Sequence, residues 1–427
     1  MRILVVGKGG RAHAMVWKLA SSKKVLKVYV APGNAGCALE KKVQNISIEI
    51  DEIEKLVSFA KEKKIDFALA GPAVALIKGL VDRFTQEGIR CFGTSQKASQ
   101  LEASKSYAKA FLKRYKIPTS EYEVFSDIET ALSYLDKKEA PIVVKADGLA
   151  SGKGVIVAQS IREAKKAVID MLNGNCFGDA GSRVVIEEYI EGEECSFIVM
   201  SDGNNILPMV PCQDHKRKGE GDTGVNTGGM GAYSPVKLVT PELSERIVKE
   251  IVQPTIDAMR EKELIPYKGF LYTGIMIDNE GNLKVLEYNC RFGDPEAQPV
   301  MMRLQSDFVE HIVAALEGRL DKEVAKWDER AALCVVAAPR EYPEKFQAGA
   351  VIRGLDTIDD PNVKVFHSGT FLNDEGEIVT TVGRTLSVTA LGDSIQDAQN
   401  RAYGSIKKID FEGIYYRKDI GYRALGV

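Results

Sequence analysis

The opening of the chain restricts the fold more than any other stretch. Ile3-Leu-Val-Val6 is a strand-length apolar run, Gly7-Lys-Gly-Gly-Arg-Ala12 is a glycine turn, and Ala14, Val16, Trp17, Leu19 and Ala20 then follow a helical pattern. A strand that turns through glycines into a helix offers backbone amides and a helix N-terminus to a phosphate. Gly9, Gly10 and Arg11 are the candidate binding residues there. The unit recurs. Residues 27–30 run as a strand into Ala31-Pro-Gly-Asn-Ala-Gly36, residues 65–70 into Gly71-Pro72, and residues 89–92 into Gly93, with helices predicted over 53–63 and 76–86. Strands alternating with helices give a parallel sheet. Turns at the carboxyl ends of such strands line one crevice. A dinucleotide site also needs an acid closing the second strand, about 20 residues on. Ala31-Pro32 stands there instead, so the loop predicts a smaller phosphorylated ligand than NAD.

After a predicted helix over 104–114, the strand Pro141-Ile-Val-Val-Lys-Ala146 enters a glycine loop ending Ser151-Gly-Lys-Gly154 and returns as Val155-Ile-Val157. The loop joins two strands, and Gly154 rather than Ser or Thr follows Lys153, so it is not a Walker A loop. Lys145 and Lys153 are placed to grip phosphates from two sides while the amides of Gly152 and Gly154 close over them. A strand over 183–190 ends in Glu187-Glu-Tyr-Ile190, whose backbone can pair with a nucleotide base, and Glu194 can take ribose hydroxyls. Residues 213–233 are polar and glycine-rich. An ordered loop of that length inside a domain is usually functional. Asp214, Lys216 and Arg217 supply charge, and Thr227-Gly-Gly-Met-Gly231 is expected to expose backbone amides to an anion.

A hairpin over 269–289 ends in Glu287-Tyr-Asn-Cys-Arg291. Alternation along a strand puts Glu287 and Asn289 on one face and Tyr288 on the other. Two oxygen ligands on a rigid strand suit a Mg²⁺ that substrate phosphates also hold. Arg291 follows where a cation can meet an anionic substrate or a developing charge.

Composition narrows the classes. A net charge of −3 over 427 residues gives no basic field for nucleic acid or a membrane surface. No apolar stretch approaches a membrane span. Seven scattered cysteines without a CxxC pair fit a reducing compartment, so a soluble, cytoplasmic protein is expected.

Taken in order, a glycine-loop α/β domain, a Lys…Gly-Lys-Gly hairpin, a Glu-Glu-Tyr-Ile hinge and a late Glu-x-Asn-x-Arg strand resemble the ATP-grasp ligases. Longer motifs are similar to the phosphoribosylamine–glycine ligase family. They are Asn34-Ala-Gly36, Lys145 to Gly154, Asp222-Thr-Gly-Val-Asn-Thr-Gly-Gly-Met-Gly-Ala-Tyr-Ser-Pro235, Asn289-Cys-Arg-Phe-Gly-Asp-Pro-Glu296 and Asp419-Ile-Gly-Tyr-Arg-Ala-Leu425. The resemblance implies an N-terminal parallel-sheet α/β domain over 1–103, an ATP-grasp domain over 104–325 and a small C-terminal α+β domain that mixes strands with a helix over 326–427. It implies ATP with Mg²⁺ or Mn²⁺, the substrates glycine and 5-phosphoribosylamine, and a monomer or homodimer.

In residues, the resemblance implies nucleotide contacts from Lys105, Lys145, Lys153, Gly152, Gly154, Glu187, Glu188, Tyr189, Ile190 and Glu194, and metal ligands Glu287 and Asn289. Asp214, Lys216, Arg291 and Asp294 would serve the chemistry. Gly9, Gly10, Arg11, Asn34, Gly71, Pro72, Gly228, Gly229, Met230 and Gly231 would hold substrates. Other ATP-grasp enzymes often place a further acid on the strand before the metal strand, and here Gly274 is expected in that place.

The chain also departs from the family. Lys8 and Ala12 replace the usual Asn and Glu of the first loop, Ala73 and Ala75 replace the usual Glu and Pro after Gly71-Pro72, and Thr94 and Val225 replace prolines. Arg340-Glu-Tyr-Pro343 and Val382-Gly-Arg384 replace Gly-Gly-Tyr-Pro and Gly-Gly-Arg. The changes gather where the resemblance places phosphoribosylamine. An alternative is therefore an ATP-grasp ligase that activates glycine or a similar small amino acid but delivers it to a different amine.

Overall fold

The computed structural model describes residues 1–150, 154–173, 178–344 and 346–426. The expected parallel sheet forms, with strands in the order Val43–Asn45, Lys27–Pro32, Arg2–Gly7, Phe67–Ala70 and Cys91–Phe92. Its central strand is buried from Ile3 to Gly7, because apolar residues face helices on both sides. The helix expected over 76–86 is two helices, Ala73–Ile77 and Leu80–Gln86. Gly79 between them has φ +83, a left-handed conformation that ends one helix and lets the next start.

Two four-stranded antiparallel sheets follow. One orders Tyr122–Phe125, Val184–Glu188, Ile142–Ala146 and Val155–Ala158, backed by the helices Ile128–Leu135 and Ile161–Leu172 over a small core of its own. The other orders Ile206–Pro208, Gly192–Asp202, Lys268–Asp278 and Leu283–Asn289. The two meet where Val285 N donates to Pro118 O at 2.8 Å and Thr119 Oγ1 donates to Val285 O at 2.7 Å.

Gly274 pairs with Glu287 and Ile275 with Val285, so Leu286 is the extra residue of a bulge. A Cβ at Gly274 would lie 3.2 Å from Glu287 Cγ. The glycine expected in place of an acid thus leaves room for the Glu287 side chain.

The third sheet orders Gln213–Asp214, Gly231–Ser234, Ala331–Pro339, Leu386–Gly392 and Val363–His367. Its first two strands come from the polar segment 213–233. Between them Arg217–Gly219 and Thr223–Asn226 form a two-stranded ribbon. The segment expected as one long loop is therefore mostly paired backbone, and it sits in the same sheet as the C-terminal strands.

The first and last parts of the chain lock together at buried polar groups. His13 Nδ1 accepts from His367 N at 2.8 Å, and Asn34 Nδ2 donates to His367 O at 2.8 Å and Lys8 O at 3.0 Å. Asn34 also caps the helix Ala35–Leu39, accepting from Cys37 N at 2.9 Å. No described helix is long and apolar enough to cross a membrane.

Candidate active site

A cleft of about 1270 Å³ opens among the sheets. Lys145 enters it from the strand Ile142–Ala146, with Nζ 2.9 Å from Glu187 Oε1 and 3.2 Å from Leu286 O. Lys109 meets the same carboxylate at 2.8 Å, and Ser120 Oγ donates to it at 2.7 Å. Burial draws the Lys109 pKa down to about 8 against the opposing pull of Glu187. The Glu187 carboxylate, 2% exposed, is thus spent on orienting two lysines, and any part it takes in reading a base is left to its main chain. Glu188 pairs with Lys284 at 2.9 Å and lines the cleft together with Tyr189 and Ile190.

Lys105 Nζ donates to Gly148 O at 2.9 Å, and Lys105 N donates to Asp147 O at 3.0 Å. Asp147 in turn accepts from Ser106 N at 2.7 Å and pairs with Arg183 at 2.7 Å. The start of the glycine loop is therefore held against the helix Lys105–Arg114. Gly154 lines the cleft, whereas Gly152 and Lys153 lie outside the described residues.

Across the cleft stand Glu287 and Asn289. Burial raises the Glu287 pKa, but Lys216, Lys145, Lys105 and Arg291 outweigh it and bring it to about 2, so the group is ionised. Lys216 Nζ bridges Glu194 and Glu287, at 3.4 Å from the latter. Asn289 Oδ1 accepts from Arg291 Nη2 at 2.7 Å, and Arg291 pairs with the buried Glu102 at 3.0 Å. An anionic oxygen beside an amide oxygen fits a hard divalent cation. Among the described residues no group of three or more His, Cys, Asp or Glu side chains could hold a metal, so such an ion would need phosphate oxygens as well.

Arg11 and Arg291 both donate to Phe292 O, at 2.8 and 3.0 Å. Burial and the charge of Arg291 lower the Arg11 pKa to about 9, and Arg11 Nε is buried without a partner. Two guanidiniums pressed together in a cleft are a place for an anion. Asp294 accepts from Gln298 Nε2 at 2.9 Å and Arg11 N at 3.3 Å. Asp214 Oδ1 is buried and unpartnered, and burial, with Glu296 nearby, pushes its carboxyl well above the ordinary range. An unpaired acceptor of this kind suits a cationic ligand.

Several expected contacts fall elsewhere. Asn34 is 4% exposed and fully engaged in capping and domain contacts, outside the cleft. Gly10 is packed under Gln298 and Ser368, where a Cβ would come within 2.5 Å of Gln298 Nε2.

The amides predicted to face an anion at 228–230 are taken. Gly228 N donates to Tyr342 Oη at 3.0 Å, Gly229 N to Thr227 Oγ1 at 3.0 Å and Met230 N to His215 O at 2.8 Å. Met230 is fully buried in the C-terminal core, and Gly231 lies so close to Cys334 O that a Cβ there would come within 2.6 Å of it. The physical reason is the sheet: once residues 231–234 pair with Ala331–Pro339, the preceding turn is drawn into its hydrogen bonding.

Gly71 and Pro72 line a side cavity of about 170 Å³ with Gly7, Ala12 and Ile50. Lys8 and Arg11 reach its wall, and among the described residues no carboxylate does. The space beside Ala12 thus stays open. Lys109, Glu102, Glu296 and Arg384 belong to the site without being evident from the sequence. Lys109 stands one helical turn after Lys105, Glu296 closes the motif that begins at Asn289, and Arg384 ends the altered Val382-Gly-Arg384, but none of these positions alone states a role.

A lysine-bearing sheet facing a carboxylate-bearing sheet is the architecture of the ATP-grasp class. At the level of fold, the chain is similar to the biotin carboxylase domain of the Hydrogenobacter thermophilus 2-oxoglutarate carboxylase, solved with MgADP (TM-score 0.75, 17% identity, 97% of this chain and 91% of that one). The Phosphoribosylglycinamide synthetase N, ATP-grasp (A) and C domain models match residues 1–102, 103–297 and 332–423, and the chain belongs to that family.

It is 55% identical over 425 residues to the phosphoribosylamine–glycine ligase of Vibrio vulnificus and 53% identical to that of Escherichia coli K12, in each case over 100% of this chain and 99% of the relative. The crystal structure of the Thermotoga maritima phosphoribosylamine–glycine ligase matches with TM-score 0.84 at 32% identity, over 99% of this chain and all of that one.

Proposed function

We propose that this chain is an ATP-dependent ligase that joins glycine to 5-phosphoribosylamine, giving glycinamide ribonucleotide, ADP and phosphate in purine biosynthesis in the cytoplasm. One observation carries the reading: the ionised Glu287 and the lysines Lys145 and Lys105 share a cleft with the buried, unpaired oxygen of Asp214. The first set suits a metal-bound nucleotide, and the second suits a small substrate bearing an ammonium group.

Lys145 and Lys105, with Lys153, hold the ATP phosphates. The backbone of residues 187–190 takes the base and Glu194 the ribose. Glu287 and Asn289 would hold Mg²⁺ or Mn²⁺, which would neutralise charge on the phosphates during transfer. Asp214 accepts the ammonium of glycine, and Arg11 and Arg291 face its carboxylate. That places a carboxylate oxygen where it can attack the terminal phosphorus, and the same guanidiniums then stabilise the glycyl phosphate. The amine attacks the acyl carbon, phosphate leaves, and the amine proton passes to solvent. Asp294, held by Arg11 N and Gln298, shapes the far side of this pocket.

Phosphoribosylamine is favoured over another amine because relatives at 53–55% identity over the whole chain carry that name, despite the open space beside Ala12. With no other amine nucleophile added, sustained ADP release should require glycine and freshly generated phosphoribosylamine together. Release with a different amine, and none with phosphoribosylamine, would transfer the assignment to the alternative acceptor.

A further inference from the structure

Tyr342, residues 368–371 and residues 381–384 supply a wall of the cleft from the C-terminal part of the chain. Arg384 does more. Its side chain, 16% exposed, reaches out of the segment just before the strand Leu386–Gly392 and ends between two loops of the central region. Nη1 donates to Gly228 O at 2.6 Å, to Asp294 O at 2.6 Å and to Gly229 O at 3.3 Å, and Nη2 lies 3.4 Å from Asp294 Oδ2. Tyr342, from the same C-terminal part, accepts from Gly228 N on the other side of the turn.

Gly229 is what lets the turn fit. Its φ is +107, and a Cβ there would lie 2.6 Å from Asp214 Oδ1 and 2.4 Å from Pro295 Cδ. The turn is therefore wedged between Asp214 and the 294–295 loop, and one guanidinium holds both sides of the wedge.

We infer that Arg384 is a positioning residue for glycine activation: by clasping the carbonyls of Gly228, Gly229 and Asp294 it fixes the distance between Asp214 and Asp294, and so the seat of the amino acid. The inference rests on the functional reading above. A planar fork can satisfy carbonyls on two loops at once. A lysine ammonium keeps the charge but not that geometry. The role differs from binding the acceptor, because the clasp acts on the step before any acceptor is needed.

That difference sets the test. With ATP, glycine and hydroxylamine but no phosphoribosylamine, the hydroxylamine nitrogen displaces phosphate from the glycyl phosphate and glycyl hydroxamate accumulates beside ADP. Arg384→Lys and Arg384→Ala should each lower hydroxamate formation at sub-saturating glycine by at least 50-fold. The loss should fall mainly on KM for glycine, with KM for ATP within about twofold, and added guanidinium ion should restore part of the activity of Arg384→Ala.

Thermal unfolding of both variants separates this from misfolding, and if Arg384→Ala does not fold, Arg384→Lys still decides the matter. Hydroxamate formation at the parent rate in a folded variant would overturn the inference, as would an equal rise in KM for ATP. A parent chain that makes no hydroxamate would instead overturn the functional reading itself, and the inference with it.

Discussion

Glu187→Ala should destabilise the chain by about 3–5 kcal/mol, the usual penalty for removing one partner of a buried ion pair. Two ammonium groups, Lys145 and Lys109, would be left buried around an empty space. Part of the penalty is relieved by deprotonation, since Lys109 already titrates near 8. The damage should be local at first. The sheet holding Val184–Glu188 has its own small core, so amide exchange there should accelerate before the parallel sheet of the first domain is affected.

Glu187→Gln should be milder, because it keeps a hydrogen-bonding group beside Ser120 Oγ. Activity should fall with stability, as Lys145 loses the group that aims it, and the loss should appear in KM for ATP. A calorimetric transition of Glu187→Ala within a degree of the parent would show that the triad does not support the sheet.

Asp214→Asn should have the largest effect on substrate use. A buried carboxylate facing an ammonium is worth about 2–5 kcal/mol on truncation, so kcat/KM for glycine should fall by roughly 10²–10³-fold while KM for ATP changes little. The sign of the stability change is opposite. Burial, with Glu296, raises the folded pKa of Asp214 above its unfolded value. The unfolded chain therefore releases its proton first as pH rises, and the folded state loses stability as pH climbs past the ordinary carboxylate range.

Asparagine removes the titrating group and with it this pH-dependent penalty, so the variant should unfold at a higher temperature at pH 7 while losing glycine, a trade between stability and function. In the parent, kcat/KM for glycine should fall on acidification at a pH above the ordinary carboxylate range, and this limb should be missing from Asp214→Asn. A variant that is less stable and retains the limb would remove Asp214 from the glycine seat.

The parts of this site that are legible in the sequence are those whose chemistry is local. Gly7 to Arg11, Lys145 with its hairpin, and the strand carrying Glu287 and Asn289 each announce their role through residues a few positions apart, and strand alternation survives the bulge at Leu286 because Glu287 and Asn289 both follow it.

What the sequence hides depends on partners far along the chain. Arg384 acts on Gly228 and Asp294, and Glu102 holds Arg291. Nothing near Glu102 marks it as part of a site, and Val382-Gly-Arg384 stands out only as a departure from the family pattern, with no sign of what Arg384 holds. The turn at 228–230 misleads for the same reason. Its glycines suggest exposed amides, but strand Gly231–Ser234 pairs with Ala331–Pro339 and the turn donates inward. Asn34 reads as a ligand contact in a glycine loop and proves to be a helix cap that also reaches His367.

The substitutions at Ala12 and Ala73 bear on the acceptor. Ala12 is 3% exposed and lines the side cavity, where no carboxylate stands among the described residues, whereas Ala73, 8% exposed, lines the main cleft, where Glu49 pairs with Lys8 at 3.5 Å. The activation of glycine depends on other residues, and that step is the centre of the account.

Glycine labelled with ¹⁸O in both carboxylate oxygens tests it most directly. If glycine is activated by phosphoryl transfer in the cleft of Lys145, Glu287 and Asp214, complete turnover with ATP and phosphoribosylamine should leave one labelled oxygen in the released phosphate and one in the amide product. Phosphate released without label, alongside an amide product, would contradict the account.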